Sequence, residues 1–137
     1  ANDEFLEYAG YVDKFYGTPK APCYEHVEKG INAILEIEVQ GGMMVKEKEP
    51  DTVMIFIVPP SMEELENRLR GRGTETEEAI LQRLARAKEE LLQMKNYDYI
   101  VVNNSVEEAA EQIRNILNSE SLKTKNMINM VEKELKL

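Results

Sequence analysis

A single cysteine, Cys23, stands in the 137 residues. No intrachain disulfide can form, which fits a reducing compartment, and a cytoplasmic location is expected. Histidine is equally scarce. His26, the only one, lies three residues beyond Cys23, in a polar stretch where a nucleophilic Cys–His pair is not expected. No run of about 18 apolar residues occurs, so no membrane-spanning helix and no membrane partner are expected. The opening Ala1-Asn2-Asp3-Glu4 has no initiator Met and neither the basic segment nor the apolar core of a secretory leader. It reads as processed, or as a chain starting in mid-sequence. Positive charge is in deficit, with 17 Lys and Arg against 26 Asp and Glu and a net charge of −9. That sign argues against a generic nucleic-acid coat or an anionic-membrane binder. A small phosphorylated ligand, which needs only a local cluster of positive charge, is still compatible. What is present is ordinary for a globular chain: 42% hydrophobic and 31% charged residues, a balance that excludes collagen and low-complexity disorder. The length suits one domain or part of one.

The pattern alternates strands and helices. Residues 4–9 and Phe15-Tyr16 read as strands, and Pro22 to Lys29 as a short helix ended by Gly30. Asn32–Glu38 reads as a strand, followed after Gly41-Gly42 by a helix through Met43–Lys48. Thr52–Val58 is almost wholly apolar, as in a parallel strand buried on both faces. Ser61 with Glu64, Thr74 with Glu77, and Ser105 with Glu108 have capping-box spacing. They predict helices to about Leu69, to about Met94, and through an inward stripe of Val106, Ala109, Ala110, Ile113 and Leu117. Tyr97–Val102 is another apolar strand, and Ser119 to Leu137 a helical extension. Such alternation predicts an α/β fold with a parallel sheet flanked by helices. Ligands in such sheets lie beyond the carboxyl ends of strands, where Glu38, Pro59 and Asn103 fall.

Three constellations carry chemistry. Arg68, Arg70, Arg72, Arg83 and Arg86 concentrate guanidinium groups, and Arg72 lies between two glycines. Arg forks match phosphate oxygens and stabilise charge in phosphoryl transfer, and a hinged segment could close them over a nucleotide. The plainer alternative is surface pairing at helical spacing, Glu64–Arg68 and Glu66–Arg70. Glu36 and Glu38, two apart on one side of a strand, could organise Mg²⁺ or substrate hydroxyls, or form a solvated strand end. Glu7, Tyr16, Gly17 and Thr18 form the third. A buried carboxylate accepts two parallel N–H bonds, which guanine offers and adenine does not. A Tyr hydroxyl could bond a phosphate and Thr18 the base; the alternative is an edge-strand Glu beside an ordinary turn.

These stretches occur in one order. Phe5-Leu6-Glu7-Tyr8-Ala9, Phe15-Tyr16-Gly17-Thr18-Pro19, Ile34-Leu35-Glu36-Ile37-Glu38-Val39-Gln40-Gly41, Ile55-Phe56-Ile57-Val58-Pro59-Pro60-Ser61, Arg68-Leu69-Arg70-Gly71-Arg72-Gly73-Thr74 and Tyr97-Asp98-Tyr99-Ile100-Val101-Val102-Asn103 closely resemble guanylate kinase over roughly residues 3–120. The resemblance implies a P-loop nucleoside monophosphate kinase that transfers the γ-phosphoryl of ATP to GMP with Mg²⁺. It implies a partial GMP-binding lobe over 1–31, core over 32–67 and 87–120, a helical lid over 68–86, and a tail over 121–137. Glu7 resembles the guanine-reading carboxylate and Thr18 the base-contacting hydroxyl residue. Tyr16 resembles the GMP-phosphate ligand, with Gly17 in the same motif, and Glu36 and Glu38 the acidic pair near GMP and the Mg²⁺ region. Arg68, Arg72 and Arg83 resemble lid arginines on ATP and the transferring group, Arg72 and Arg83 in catalytic roles. Asn103 falls at the adenine. No direct protein ligand to a metal is expected.

The chain departs from the family pattern at Glu38, usually Asp, at Asn104, commonly acidic, and at Phe15, often Tyr. No Gly-x-x-x-x-Gly-Lys-Ser/Thr stretch occurs in the 137 residues, although such a loop holds the β- and γ-phosphates. The chain is therefore expected to resemble the C-terminal two-thirds of a guanylate kinase, without the P-loop strand, and to have negligible kinase activity alone. The alternative is a guanylate-kinase-like module that binds phosphopeptides without catalysis. Such modules typically have degraded lid arginines and lack the acidic pair, so the retained Arg68, Arg72, Arg83, Glu36 and Glu38 favour the enzyme. A homo-oligomer pairing through an exposed gap in the sheet is also left open.

Overall fold

The computed structural model describes the backbone of residues 3–11, 14–30 and 32–137; the side chains of 8–11 and 14–16 lie outside the described residues, and with them the expected role of the Tyr16 hydroxyl. The described chain forms two compact units, one of residues 1–54 and 95–98, the other of 55–94 and 99–137.

The first unit begins with an antiparallel pair, β1 (Phe5–Tyr11) and β2 (Lys14–Pro19). Its register sets Glu7 opposite Thr18 and Tyr8 opposite Gly17, with an irregularity between Phe5 and Glu7. Helix α1 (Lys20–Glu28) follows and buries no residue. Helix α2 (Val39–Lys48) packs on β1. Its buried Val45, with Leu6 and Met54, makes the apolar centre of this unit. The Asp98 carboxylate accepts the Met54 amide at 2.8 Å, and the Asp98 amide donates to the Met54 carbonyl at 2.9 Å.

Two expectations fail here. Residues 32–38 form no strand. A strand is defined by a hydrogen-bonded neighbour, and apolar alternation cannot supply one. The helix starts at Val39 rather than Met43, taking Gly41 and Gly42 into its first turns. The reason is spatial. A Cβ at Gly41 would lie 2.7 Å from Glu7 Oε2, and one at Gly42 would lie 3.0 Å from the Tyr97 hydroxyl. The glycines mark close approach, not a break.

The second unit is α/β, with a small parallel sheet of β3 (Ile55–Val58) and β4 (Tyr99–Val102), paired Ile55 to Tyr99 through Val58 to Val102. Parallel strands need a long crossover. Here it consists of α3 (Met62–Gly71), α4 (Glu77–Leu91) and a short 3₁₀ turn at Met94–Asn96. Then α5 (Val106–Ser121) packs on β4, and α6 (Thr124–Leu135) follows. Phe56, Leu69, Ile80, Val101 and Ala109 are buried, Val101 to 1% exposure. Double-sided burial of the apolar strands does not hold, since Ile57 and Ile100 are each 52% exposed. Two strands leave each with an open edge among the described residues, so their cover is partial.

Ser61 and Ser105 cap their helices as the spacing predicts, accepting the amides of Glu64 at 3.0 Å and Glu108 at 3.2 Å. The cap of α4 is Thr76, accepting from Ala79, rather than Thr74. Of the expected α5 stripe Ala109 is buried, while Ala110 is exposed and Val106 74% exposed. No described helix is long and apolar enough to cross a membrane.

Candidate functional site

In the first unit the hairpin register brings two candidates together. Glu7 is 7% exposed, an unusual burial for a carboxylate. The Thr18 hydroxyl donates to Glu7 Oε1 at 2.7 Å. The other oxygen, Oε2, faces the first turns of α2 at Gly41. Gly17 is also tight, since a Cβ there would meet the Phe5 ring at 2.8 Å and the Glu7 carbonyl at 3.1 Å. The carboxylate is thus fixed on one side by a hydroxyl and bounded on the other by a bare backbone. Each carboxylate oxygen accepts more than one hydrogen bond, so acceptor capacity is left for a ligand with parallel N–H groups. Glu36 and Glu38 are exposed. Glu38 precedes α2, and its carbonyl accepts the Gly42 amide at 2.8 Å. The structure does not bury the acidic pair beside Glu7. At the start of β1, Lys20 and Lys48 lie 2.7 and 3.1 Å from Asp3 and hold its carboxyl below the usual range.

In the second unit a cleft of about 250 Å³ opens at the carboxyl ends of the two strands. Ile57, Val58, Pro59, Leu65 and Leu69 supply apolar walls, and Arg68, Arg72 and Asn103 its polar groups. Arg68 is already engaged. Its Nε donates to Glu64 at 3.0 Å, its Nη1 to the Asn103 carbonyl at 3.0 Å, and its Nη2 to the Asn104 carbonyl at 3.2 Å. The expected Glu64–Arg68 and Glu66–Arg70 pairs are both present. Arg70 also bonds Glu77, whose carboxyl is held below its ordinary value by that guanidinium. Arg83 pairs with Glu75 at 2.7 Å, and the other Glu75 oxygen is buried without a partner among the described residues. Arg86 pairs with Glu90 at 2.9 Å. Arg72, at the C-terminal cap of α3, is the one arginine of these five without a carboxylate partner among the described residues. Gly73 follows it at φ +63°, a left-handed backbone that glycine adopts without strain and that turns the chain away from α3.

The guanylate kinase family model matches residues 1–120. The chain belongs to the guanylate kinase family. Guanylate kinases of Streptococcus pyogenes serotypes M3 (strain MGAS315) and M18 (strain MGAS8232) are each 48% identical to it over 134 residues, which is 98% of this chain and 64% of theirs. The crystal structure of guanylate kinase from Anaplasma phagocytophilum superposes with a TM-score of 0.77 at 34% identity, covering 99% of this chain and 68% of that one. The chain thus spans 64% of the length of the curated relatives it matches.

Among the guanylate-kinase positions named from sequence, the structure joins Glu7 with Thr18, and Arg68 with Asn103, in direct bonds. It sets Arg72 at the same cleft as Asn103. Arg83 is not among that cleft's lining residues and is instead bound to Glu75. Sequence reasoning missed Gly41, Glu75 and the Asn104 carbonyl. Gly41 carried a signal, being close to the acidic pair Glu36 and Glu38, but only the contact with Glu7 shows what its missing side chain permits. Among the described residues no three His, Cys, Asp or Glu side chains converge as a metal site.

Proposed function

We propose that the protein carrying this chain transfers a phosphoryl group from ATP to GMP. The observation that carries the reading is Glu7: a buried carboxylate on the β1–β2 hairpin, with Thr18 fixing one oxygen. Guanine offers N1–H and N2–H side by side, and both can donate to one carboxylate. Adenine presents a bare ring nitrogen there, which would leave a buried acceptor unpaired at a cost of about 1–3 kcal/mol. Family membership supports the same substrate class. In this reading the first unit takes GMP, with Glu7, Thr18 and Gly17 around the base, Tyr16 at the phosphate, and Glu36 and Glu38 nearby.

The second unit takes ATP. The apolar walls of its cleft suit a planar base, and Asn103 supplies polar atoms at the rim. Arg72 and Arg83 would face the charge that develops as an acceptor phosphate oxygen of GMP bonds to the γ-phosphorus and the bond to ADP breaks. Arg83 must exchange Glu75 for phosphate to do so. Mg²⁺, when bound through nucleotide phosphates, would neutralise their charge, in keeping with its habit of using few protein carboxylates. The finer architecture belongs to the same proposal: a P-loop-type sheet, a GMP lobe over 1–31, a lid over 68–86, core over 32–67 and 87–120, and a tail over 121–137.

The test is product formation by the protein that carries this chain, with GMP, AMP and no acceptor, followed through ADP release. GMP-dependent ADP formation is expected, with Arg72→Ala lowering kcat by about 10²-fold or more. The unfolding temperature should not change, because the Arg72 side chain holds no partner among the described residues. Equal use of AMP, or unchanged kcat in Arg72→Ala, would contradict the proposal.

A further inference from the structure

Gly41 is a buried residue inside α2, where glycine is less favourable than alanine by about 1 kcal/mol. Its backbone angle is not of the kind that requires glycine, since the positive-φ glycines are Gly30 and Gly73. Something else must exclude a side chain. The nearest atoms to a Cβ at Gly41 all belong to the Glu7 side chain: Oε2 at 2.7 Å, Cδ at 3.2 Å and Cγ at 3.4 Å. No backbone atom is among them. The clash therefore falls on a movable functional group, and the scaffold is spared.

We infer that Gly41 is a positioning residue that sets guanine selectivity by leaving room for the Glu7 carboxylate. This rests on the reading of Glu7 as the guanine acceptor. A methyl at position 41 would drive Oε2 from 2.7 Å towards the ordinary contact distance of 3.4–4 Å. Thr18 holds Oε1 by a 2.7 Å bond, so the carboxylate cannot simply translate and must rotate about that anchor. Rotation takes its two oxygens out of line with two parallel N–H donors, while a single N–H can still find one oxygen. The consequence is specific. A purine with both N1–H and N2–H loses a bond, whereas one with N1–H alone loses little.

GMP and IMP form that pair, because hypoxanthine keeps N1–H and lacks the exocyclic amine. Calorimetric titration of both nucleotides into the wild-type protein and Gly41→Ala gives the readout, with thermal unfolding measured in parallel. The wild type is expected to prefer GMP. In Gly41→Ala that preference should shrink by about tenfold, mainly through weaker GMP binding, while the unfolding temperature holds or rises. Gly42→Ala is the control. Its Cβ would meet the Tyr97 hydroxyl at 3.0 Å and Met54 Cε at 3.3 Å, away from Glu7, so it should lower stability and leave the GMP:IMP ratio intact. If Gly41→Ala keeps the wild-type ratio, or Gly42→Ala loses it equally, the inference is overturned with Glu7 still the guanine acceptor. If the wild type itself shows no preference for GMP over IMP, the reading of Glu7 fails and the inference falls with it.

Discussion

Arg68 joins α3 to the turn after β4 through two backbone carbonyls, and its removal has calculable consequences. The bond to the Asn103 carbonyl is part-buried at 3.0 Å, while the bond to Asn104 is exposed at 3.2 Å. A charged donor on a part-buried acceptor contributes about 1.5 kcal/mol, and the exposed bond and the Glu64 pair about 0.3–0.5 kcal/mol each. Arg68→Ala should therefore cost about 2 kcal/mol. At about 4 °C per kcal/mol for a chain of this size, Tm falls by ~8 °C. Arg68→Lys keeps the charge but not the fork, so it reaches one carbonyl at a time and should lose about half as much. Because the 103–104 turn borders the cleft, both variants should raise KM for ATP and leave KM for GMP unchanged. Thermal melts and steady-state kinetics on the three proteins check this. An Arg68→Lys protein with wild-type Tm and wild-type KM for ATP would refute the fork as the feature that holds the turn.

Acid should destabilise the fold in a defined window. Asp3, Glu77 and Glu120 are each held below their ordinary values: Asp3 by Lys20 and Lys48, Glu77 by Arg70, Glu120 by the Tyr99 hydroxyl and Lys123. Their stabilising effect is full above the unfolded values, about 4, and fades as pH falls through the lower folded ones. Tm should be flat from about pH 7 to 5 and decline below, and a combined Glu77→Gln, Glu120→Gln variant should show a shallower decline in thermal melts. The helix caps give a second contrast. Ser61→Ala, Ser105→Ala and Thr76→Ala should each cost about 1 kcal/mol, whereas Thr74→Ala should be near neutral, by urea unfolding.

Beyond the family resemblance, what the sequence revealed was local. Ser61 and Ser105 cap as read because an N-cap needs only a hydroxyl and the amide three residues on. The same rule was ambiguous at Thr74-Glu75-Thr76-Glu77, where two threonines compete. Glu75 pairs with Arg83, and the cap falls two residues after Thr74, at Thr76, with the helix starting at Glu77. Glycine pairs mislead for a similar reason: Gly41-Gly42 reads as a stop, but Glu7 and Tyr97, distant in sequence, occupy the space. The strand expected over 32–38 needed a partner that periodicity cannot reveal. At the site, the types Glu7, Thr18, Arg68, Arg72 and Asn103 were legible as chemistry. Which arginine is free and which is spent on carbonyls depended on geometry alone.

The central claim is that the Glu7 carboxylate reads guanine. The most direct measurement is a GMP titration of the wild type and Glu7→Gln, with unfolding followed alongside. Gln is nearly isosteric but turns an N–H₂ towards the N–H groups of the base. GMP affinity is predicted to fall by about tenfold or more, with AMP binding no weaker than before. Undiminished GMP affinity in a folded Glu7→Gln protein would contradict the account.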